Sequence, residues 1–309
     1  MVQLSPPKAS VRTPTAPAPR HRWAAVNRSR RRLGLLYSAP MAALVVVLFV
    51  VPLVLLLWMS VNHWPLIGAS SPNGVANFEA LRDPLFLRAV WFTLKYTVVT
   101  TVVLGLVAFG LALLVQRDRP GVGAFRTIFF LPSAVGLAST SLLFYGLFNT
   151  EASPLNELVG WLGLGQPDWL GSNGSTLGST VGMITWRFAG FYMLILMTGL
   201  QSIDPELYEA ARIDGASRLQ ILWRVTLPLL RPTLALTMVL SVTGSLLAFD
   251  QFFILTGGRH DTATVVIDIY REAFLSQDLG RAAAVSVATL VVLIVLNIAQ
   301  MRLIRREGR

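Results

Sequence analysis

The sequence predicts an all-α integral membrane protein with six transmembrane helices, and three observations predict it. Apolar residues make up 54% of the 309 and charged residues only 14%, a balance that belongs to membrane proteins. Six apolar runs occupy 39–59, 96–115, 127–148, 177–200, 229–255 and 282–301, each near the ~20 residues a helix needs to cross the hydrocarbon. Lys and Arg are shared unequally between the segments that separate these runs. Nineteen fall before the first run, in 116–126, in 201–231 and after the last run, against five in the alternate segments. The positive-inside rule then places both termini and the 201–231 loop in the cytoplasm.

Composition also narrows the chemistry. There is no cysteine, so disulfides and thiolate metal sites are excluded, and His21, His63 and His260 lack any metal-ligand spacing. No metal site is expected. The net charge of +10 flanks the apolar runs instead of forming a nucleic-acid patch, so no nucleic-acid partner is expected. The two lysines, Lys8 in SPPKAS and Lys95 in FTLKYT, follow no glycine-rich phosphate loop. Nothing here can hydrolyse ATP, so any ATP-driven step would need the nucleotide on another polypeptide, and no catalytic constellation supports a membrane enzyme.

In chain order, residues 1–38 carry Pro6, Pro7, Pro14, Pro17 and Pro19 and then Arg28, Arg30, Arg31 and Arg32. Such a stretch cannot bury apolar surface and is expected to be a disordered basic cytoplasmic tail whose arginines meet anionic headgroups. The run behind it is too long for a signal peptide, so 39–309 reads as the transmembrane domain. The loop before the second run has Pro, Gly and Asn turn markers, and Lys95 is expected to snorkel to the interface. Pro132 is expected to kink the third run, and Trp161 and Trp169 suit a membrane–water interface.

Charges inside lipid are costly and usually functional. Arg187 in the fourth run and Asp250 in the fifth sit at similar depth in the outer half of the bilayer and are expected to pair. Tyr145, Trp186, Tyr192, Ser241, Thr243, Ser245 and Gln251 offer aromatic faces, hydroxyls and an amide to a polyol, although each also suits helix packing. Gly182, Gly190 and Gly199 read as packing positions.

The loop at 201–228 is the polar insertion that organises the rest. Glu209-Ala210-Ala211 opens a run of strong helix formers, and Gly215 accepts a left-handed backbone. A second amphipathic piece at 219–225 runs into Leu227-Pro228, with Pro232 beyond it. The pattern predicts a helix, a bend, a helix and a stop.

Glu209-Ala210-Ala211, then three residues, Gly215, nine residues, Val225, any residue and Leu227-Pro228 resembles the cytoplasmic loop of permease subunits in binding-protein-dependent ABC importers, where the Val225 position usually holds Ile. The third outer segment resembles the carbohydrate-uptake branch of that family: Leu255-Thr256-Gly257-Gly258, Tyr270, Ala273-Phe274 and 280–286 are in register, with Arg259-His260 replacing Gly-Pro. The resemblance implies a type I ABC importer permease fold in the plasma (inner) membrane of a prokaryote. It implies coupling to the ATPase through Glu209, Ala210, Ala211, Asp214, Gly215, Leu227 and Pro228. Arg187, Tyr192, Tyr145, Ser241, Ser245, Asp250 and Gln251 are the candidate translocation path. The implied partners are a second homologous permease, two copies of an ABC ATPase that bind ATP and Mg, an extracytoplasmic solute-binding protein, and membrane lipid; this chain binds no cofactor. The cargo would be a sugar or a related polyol or glycerol phosphate, moved by alternating access. A secondary transporter or channel that needs no ATPase is the competing class, and it would show internal repeats and several midplane charges.

Overall fold

The computed structural model describes residues 37–117, 119–149, 153–163 and 165–307, with side chains described up to 302. All but the end of the predicted basic tail lies outside these residues. The chain forms two compact units, which meet in sequence at Leu55–Leu56. Helix α1 is Tyr37–Ser60, and its side chains from 37 to 55 are exposed. An all-round apolar surface of that kind belongs against lipid or another chain.

The second unit opens with a two-stranded antiparallel hairpin, β1 Asn62–His63 and β2 Ser71–Pro72, with Asn62 opposite Pro72. The buried Asn77 amide ties this hairpin down, donating to the carbonyls of Ser60 and Asn62 at 3.1 and 2.7 Å. Helix α2, Pro84–Val115, starts well ahead of the apolar run at 96 because its first turn is capped. The Asp83 carboxylate accepts the Leu85 N–H at 2.9 Å and Pro84 fills the first helical position, where its missing N–H costs nothing.

The third run is broken. Helix α3, Val122–Phe130, passes through a tight turn at Leu131–Ala134 and meets α4, Leu137–Phe148, at 94°. The expected kink at Pro132 lies instead at Val135 and Gly136, whose backbones are extended. Pro132 sits in the first positions of the tight turn. Helix α5, Pro154–Trp161, follows, and α6, Asn173–Gln201, begins in a capping box between Ser172 and Ser175.

Helix α7 is Pro205–Ile213 and α8 is Arg218–Leu246. The predicted bend falls at Gly215, between α7 and α8, but the predicted stop does not occur: α8 continues through Pro228 and Pro232. A wide turn at Leu222–Thr226, closed by the Leu227 N–H on the Leu222 carbonyl, absorbs the proline; such bulges are a recognised way to carry a helix past a lost bond. The fifth run breaks after Leu246 and resumes as α9, Asp250–Thr256. Helix α10, Val265–Tyr270, leads to α11, Leu279–Glu307. Among the described residues five helices are long and apolar enough to cross a membrane, and the α3–α4 pair reaches that length and apolarity only when its two halves, bent by 94°, are taken together.

The main core lies where α2, α6 and α8 meet, around Ala108, Ala112, Met193, Leu196 and Leu230. Small residues let the backbones approach. A Cβ on Gly190 would lie 1.9 Å from the Phe129 carbonyl oxygen, and one on Gly199 would lie 2.4 Å from Thr233 Oγ1, whereas Gly182 faces open space. A second cluster sets Phe252 edge-on against Phe92 and Tyr96 at 5.0 and 4.8 Å, the arrangement that ring quadrupoles favour.

Candidate functional site

Helix α7 is short but locked at both ends. The Asp204 carboxylate accepts the Glu206 N–H at 2.9 Å, with Pro205 in the first helical position. At the other end the Ala216 N–H bonds the Ala211 carbonyl at 2.9 Å and the Gly215 N–H bonds that of Arg212 at 3.0 Å. This double closure needs a left-handed residue, and Gly215 supplies it with φ +76°. Tyr208 anchors the helix: its ring packs on the main core and its hydroxyl accepts from Thr226 Oγ1 at 3.4 Å. Glu209, Ala210, Asp214 and Gly215 are left exposed, Ala211 is half-buried, and Ile213 is 86% exposed. Leu227 and Pro228 are half-buried in α8 behind this knob. The arrangement is a short exposed helix, closed at both ends and set between the long helices α6 and α8.

The residues predicted to line a path are scattered. Arg187 is 8% exposed and does not pair with Asp250. Its guanidinium donates through Nε to the Val135 carbonyl at 3.0 Å, with Nη2 on the same oxygen, and lies 4.3 Å over the Phe188 ring. The break between α3 and α4 strips that carbonyl of its helical partner, and an unpaired carbonyl in lipid is expensive. The charge therefore heals the broken span. Tyr192 is buried edge-on against Phe188 and Phe191. Ser241 is hydrogen-bonded to Thr101 at 3.2 Å, and Thr243 to Asn297 at 3.3 Å. Ser245 is buried, Asp250 is half-buried at the start of α9, and Gln251 donates to the Tyr96 hydroxyl at 3.2 Å.

Tyr145 lies elsewhere, at the end of the molecule opposite α7. It lines a cavity of about 330 Å³ with Asn149, Asp168, Arg259 and His260. The backbone at His260 and Asp261 is left-handed, with φ 58° and 56°, which costs a residue with a Cβ of order 1–2 kcal/mol. A polar strap holds it there. Asn173 donates to the Asp261 carbonyl at 2.8 Å, Lys95 donates to Asn173 at 3.1 Å, and Arg88 pairs with Asp261 at 3.5 Å. Lys95 is thus engaged by Asn173, beyond the snorkelling expected of it. Trp161 is 89% exposed, while Trp169 stacks on Phe148 and donates to Asn156 at 2.7 Å. In α10, burial pushes Asp268 up to about 6, with Glu272 and Asp83 adding to the rise and Arg271 and Arg281 opposing it.

Sequence reasoning missed Tyr208 and the Val135 carbonyl. A lone aromatic ahead of Glu209 in a polar stretch was the available signal for the first. A backbone carbonyl carries no residue letter, so the second had none. Residues 101–309 match the family described as binding-protein-dependent transport system inner membrane component. The chain is 34% identical over 287 residues, 89% of its length and 95% of the relative's, to the sn-glycerol-3-phosphate transport system permease protein UgpA of Agrobacterium fabrum. It is 28% identical over 289 residues, 91% of each chain, to the arabinooligosaccharides transport system permease protein AraP of Bacillus subtilis. Its fold is similar to a chain in the crystal structure of a bacterial ABC transporter involved in alginate import, with a TM-score of 0.79 at 24% identity over 93% of this chain and 99% of that one. With its multiple apolar spans, its displayed loop helix and these matches over most of its length, the chain belongs to the family of inner-membrane components of binding-protein-dependent transport systems, the permease subunits of ABC importers.

Proposed function

We propose that this chain is the permease subunit of an ATP-driven importer for a sugar or a related polyol or glycerol phosphate. In this reading the α7 end faces the cytoplasm, as the distribution of Lys and Arg supports, and the 201–228 loop is the coupling loop. Two copies of an ATPase carry ATP and Mg, a second homologous permease completes the conduit, and an external solute-binding protein delivers cargo. The observation that carries the proposal is α7 itself: capped at both ends, anchored by Tyr208 and displaying Glu209, Ala210 and Ile213. Small side chains at Ala210 and Ala211 let the helix seat in a partner groove. Movement of that groove on ATP binding drives α6 and α8, which flank α7, and the two permeases rock between outward and inward openings.

Solute chemistry is read from the relatives' names, which specify arabinooligosaccharides and sn-glycerol-3-phosphate. The cavity lined by Tyr145, Asn149, Asp168 and His260 supports it by pairing an aromatic face with donors and acceptors. A transporter working without an ATPase is the competing reading, and co-purification with an ATPase separates the two. The direct test is Glu209→Lys in the purified complex reconstituted in vesicles. The variant is expected to insert normally and to lose solute-stimulated ATP hydrolysis by about tenfold or more, a loss of at least ~1.4 kcal/mol in coupling. Stimulation at the unmodified rate removes α7 from the mechanism.

A further inference from the structure

Beside α7, on the side of Tyr208 and Arg212, lies a groove of about 750 Å³. Four arginines line it, from three separate segments: Arg117 and Arg119 just past the end of α2, Arg212 in the last turn of α7, and Arg218 at the start of α8. None of the described residues lining it is acidic. Among the described residues the ion pairs of arginine are Arg88 with Asp261 and Arg281 with Asp83 and Glu272, all at the opposite end of the molecule. Four guanidinium groups gathered in one groove, with no acidic residue among its described lining, repel one another, so the groove favours an anion. Its floor is apolar and comes from the last turn of α2, including Leu114, which is 72% exposed. An occupant that satisfies both halves has an anionic head and a hydrocarbon body.

We propose that this groove seats an anionic phospholipid, with its phosphate among Arg117, Arg119, Arg212 and Arg218 and its first acyl carbons on Leu114. Arginine suits that role because its planar fork bonds two phosphate oxygens at once. The geometry of α7 separates this partner from a protein one. Tyr208 and Arg212 are one helical turn apart and face the groove, whereas Glu206, Ala210 and Ile213 lie on the opposite side. A water-borne partner takes the outer face, and a lipid enters laterally along α2. The lipid then fills the space beneath the knob and stiffens its seat. The proposal rests on the preceding reading for the leaflet concerned, the cytoplasmic one, and not for coupling.

The test reads lipid retention and melting, not ATP hydrolysis or solute uptake, so its failure is distinct from a failure of the transport reading. The full chain is purified in its complex and exchanged into nanodiscs of phosphatidylcholine with or without phosphatidylglycerol. Lipid retained through delipidation is measured by mass spectrometry, and thermal midpoints are recorded. The unmodified protein is expected to retain phosphatidylglycerol in preference to phosphatidylcholine and to melt higher with it. The fourfold variant Arg117→Gln, Arg119→Gln, Arg212→Gln, Arg218→Gln is expected to lose both effects. Should that variant fail to fold, Arg119→Gln and Arg218→Gln singly are expected to weaken retention. Equal retention of the two lipids by the unmodified protein overturns the proposal, as does undiminished retention in the variants. A midpoint shift reproduced by inorganic phosphate alone makes the groove a general anion seat and also overturns it. Loss of ATPase co-purification with lipid retention intact assigns the groove to the protein partner instead.

Discussion

Arg187 shows how a residue's chemistry depends on what the backbone around it has lost. A guanidinium in the fourth apolar run and a carboxylate in the fifth suggested an ion pair, but the guanidinium is engaged by the Val135 carbonyl at the α3–α4 break. Two consequences follow for stability. Removing the donors in Arg187→Leu leaves a buried carbonyl unpaired and is expected to cost about 1–3 kcal/mol, read as a lowered thermal midpoint in detergent. Asp250→Asn is expected to leave the midpoint where it was, and the double reversal Arg187→Asp, Asp250→Arg to fall with the single Arg187 change. A rescue in the double reversal restores the ion pair and discards the capping role.

Among the elements, α7 was the most legible. Its helix formers, its left-handed Gly215 and its small exposed face are local properties, and the structure places all of them within one capped helix. Its anchor was not legible, because Tyr208 is defined by a core assembled from α2, α6 and α8. Tyr208→Phe keeps the ring in that core and is expected to retain solute-stimulated ATPase activity. Tyr208→Ala removes the anchor and is expected to reduce stimulation about tenfold, equivalent to ~1.4 kcal/mol, while basal hydrolysis persists. Equal activity in the two variants detaches coupling from the anchor. The two interrupted runs were less legible still. Prolines were the visible breakers, yet α8 passes both Pro228 and Pro232, and the breaks fall at Val135–Gly136 and after Leu246. A proline's cost depends on whether a neighbouring turn can re-register, which is a property of the whole helix.

Across the whole molecule, the α7 end gathers Arg117, Arg119, Arg212 and Arg218 around one groove, while the opposite end collects mixed charges in contact. At that opposite end Asp268 faces Glu272, Asp83, Arg271 and Arg281, and burial raises it from 3.8 to about 6. A carboxyl with a raised folded-state value binds its proton more tightly folded than unfolded. Stability is therefore greatest below pH ~4, falls as pH rises from ~4 to ~6, and levels above that. The purified protein is expected to lose thermal midpoint across this window relative to Asp268→Asn, as followed by intrinsic fluorescence at stepped pH. Parallel profiles for the two proteins dissolve the assignment.

What the sequence by itself determined is what local composition and spacing carry. Immersion in lipid, the six apolar runs and the capped helix at Glu209 all follow from hydrophobicity counted along the chain and from caps within a few residues of each other. Tertiary structure alone decided which carbonyl Arg187 heals, where two spans break and how Arg117, Arg119, Arg212 and Arg218 come to share one groove. Those outcomes join segments far apart in sequence, and they turn on backbone groups and helix directions that no residue identity encodes.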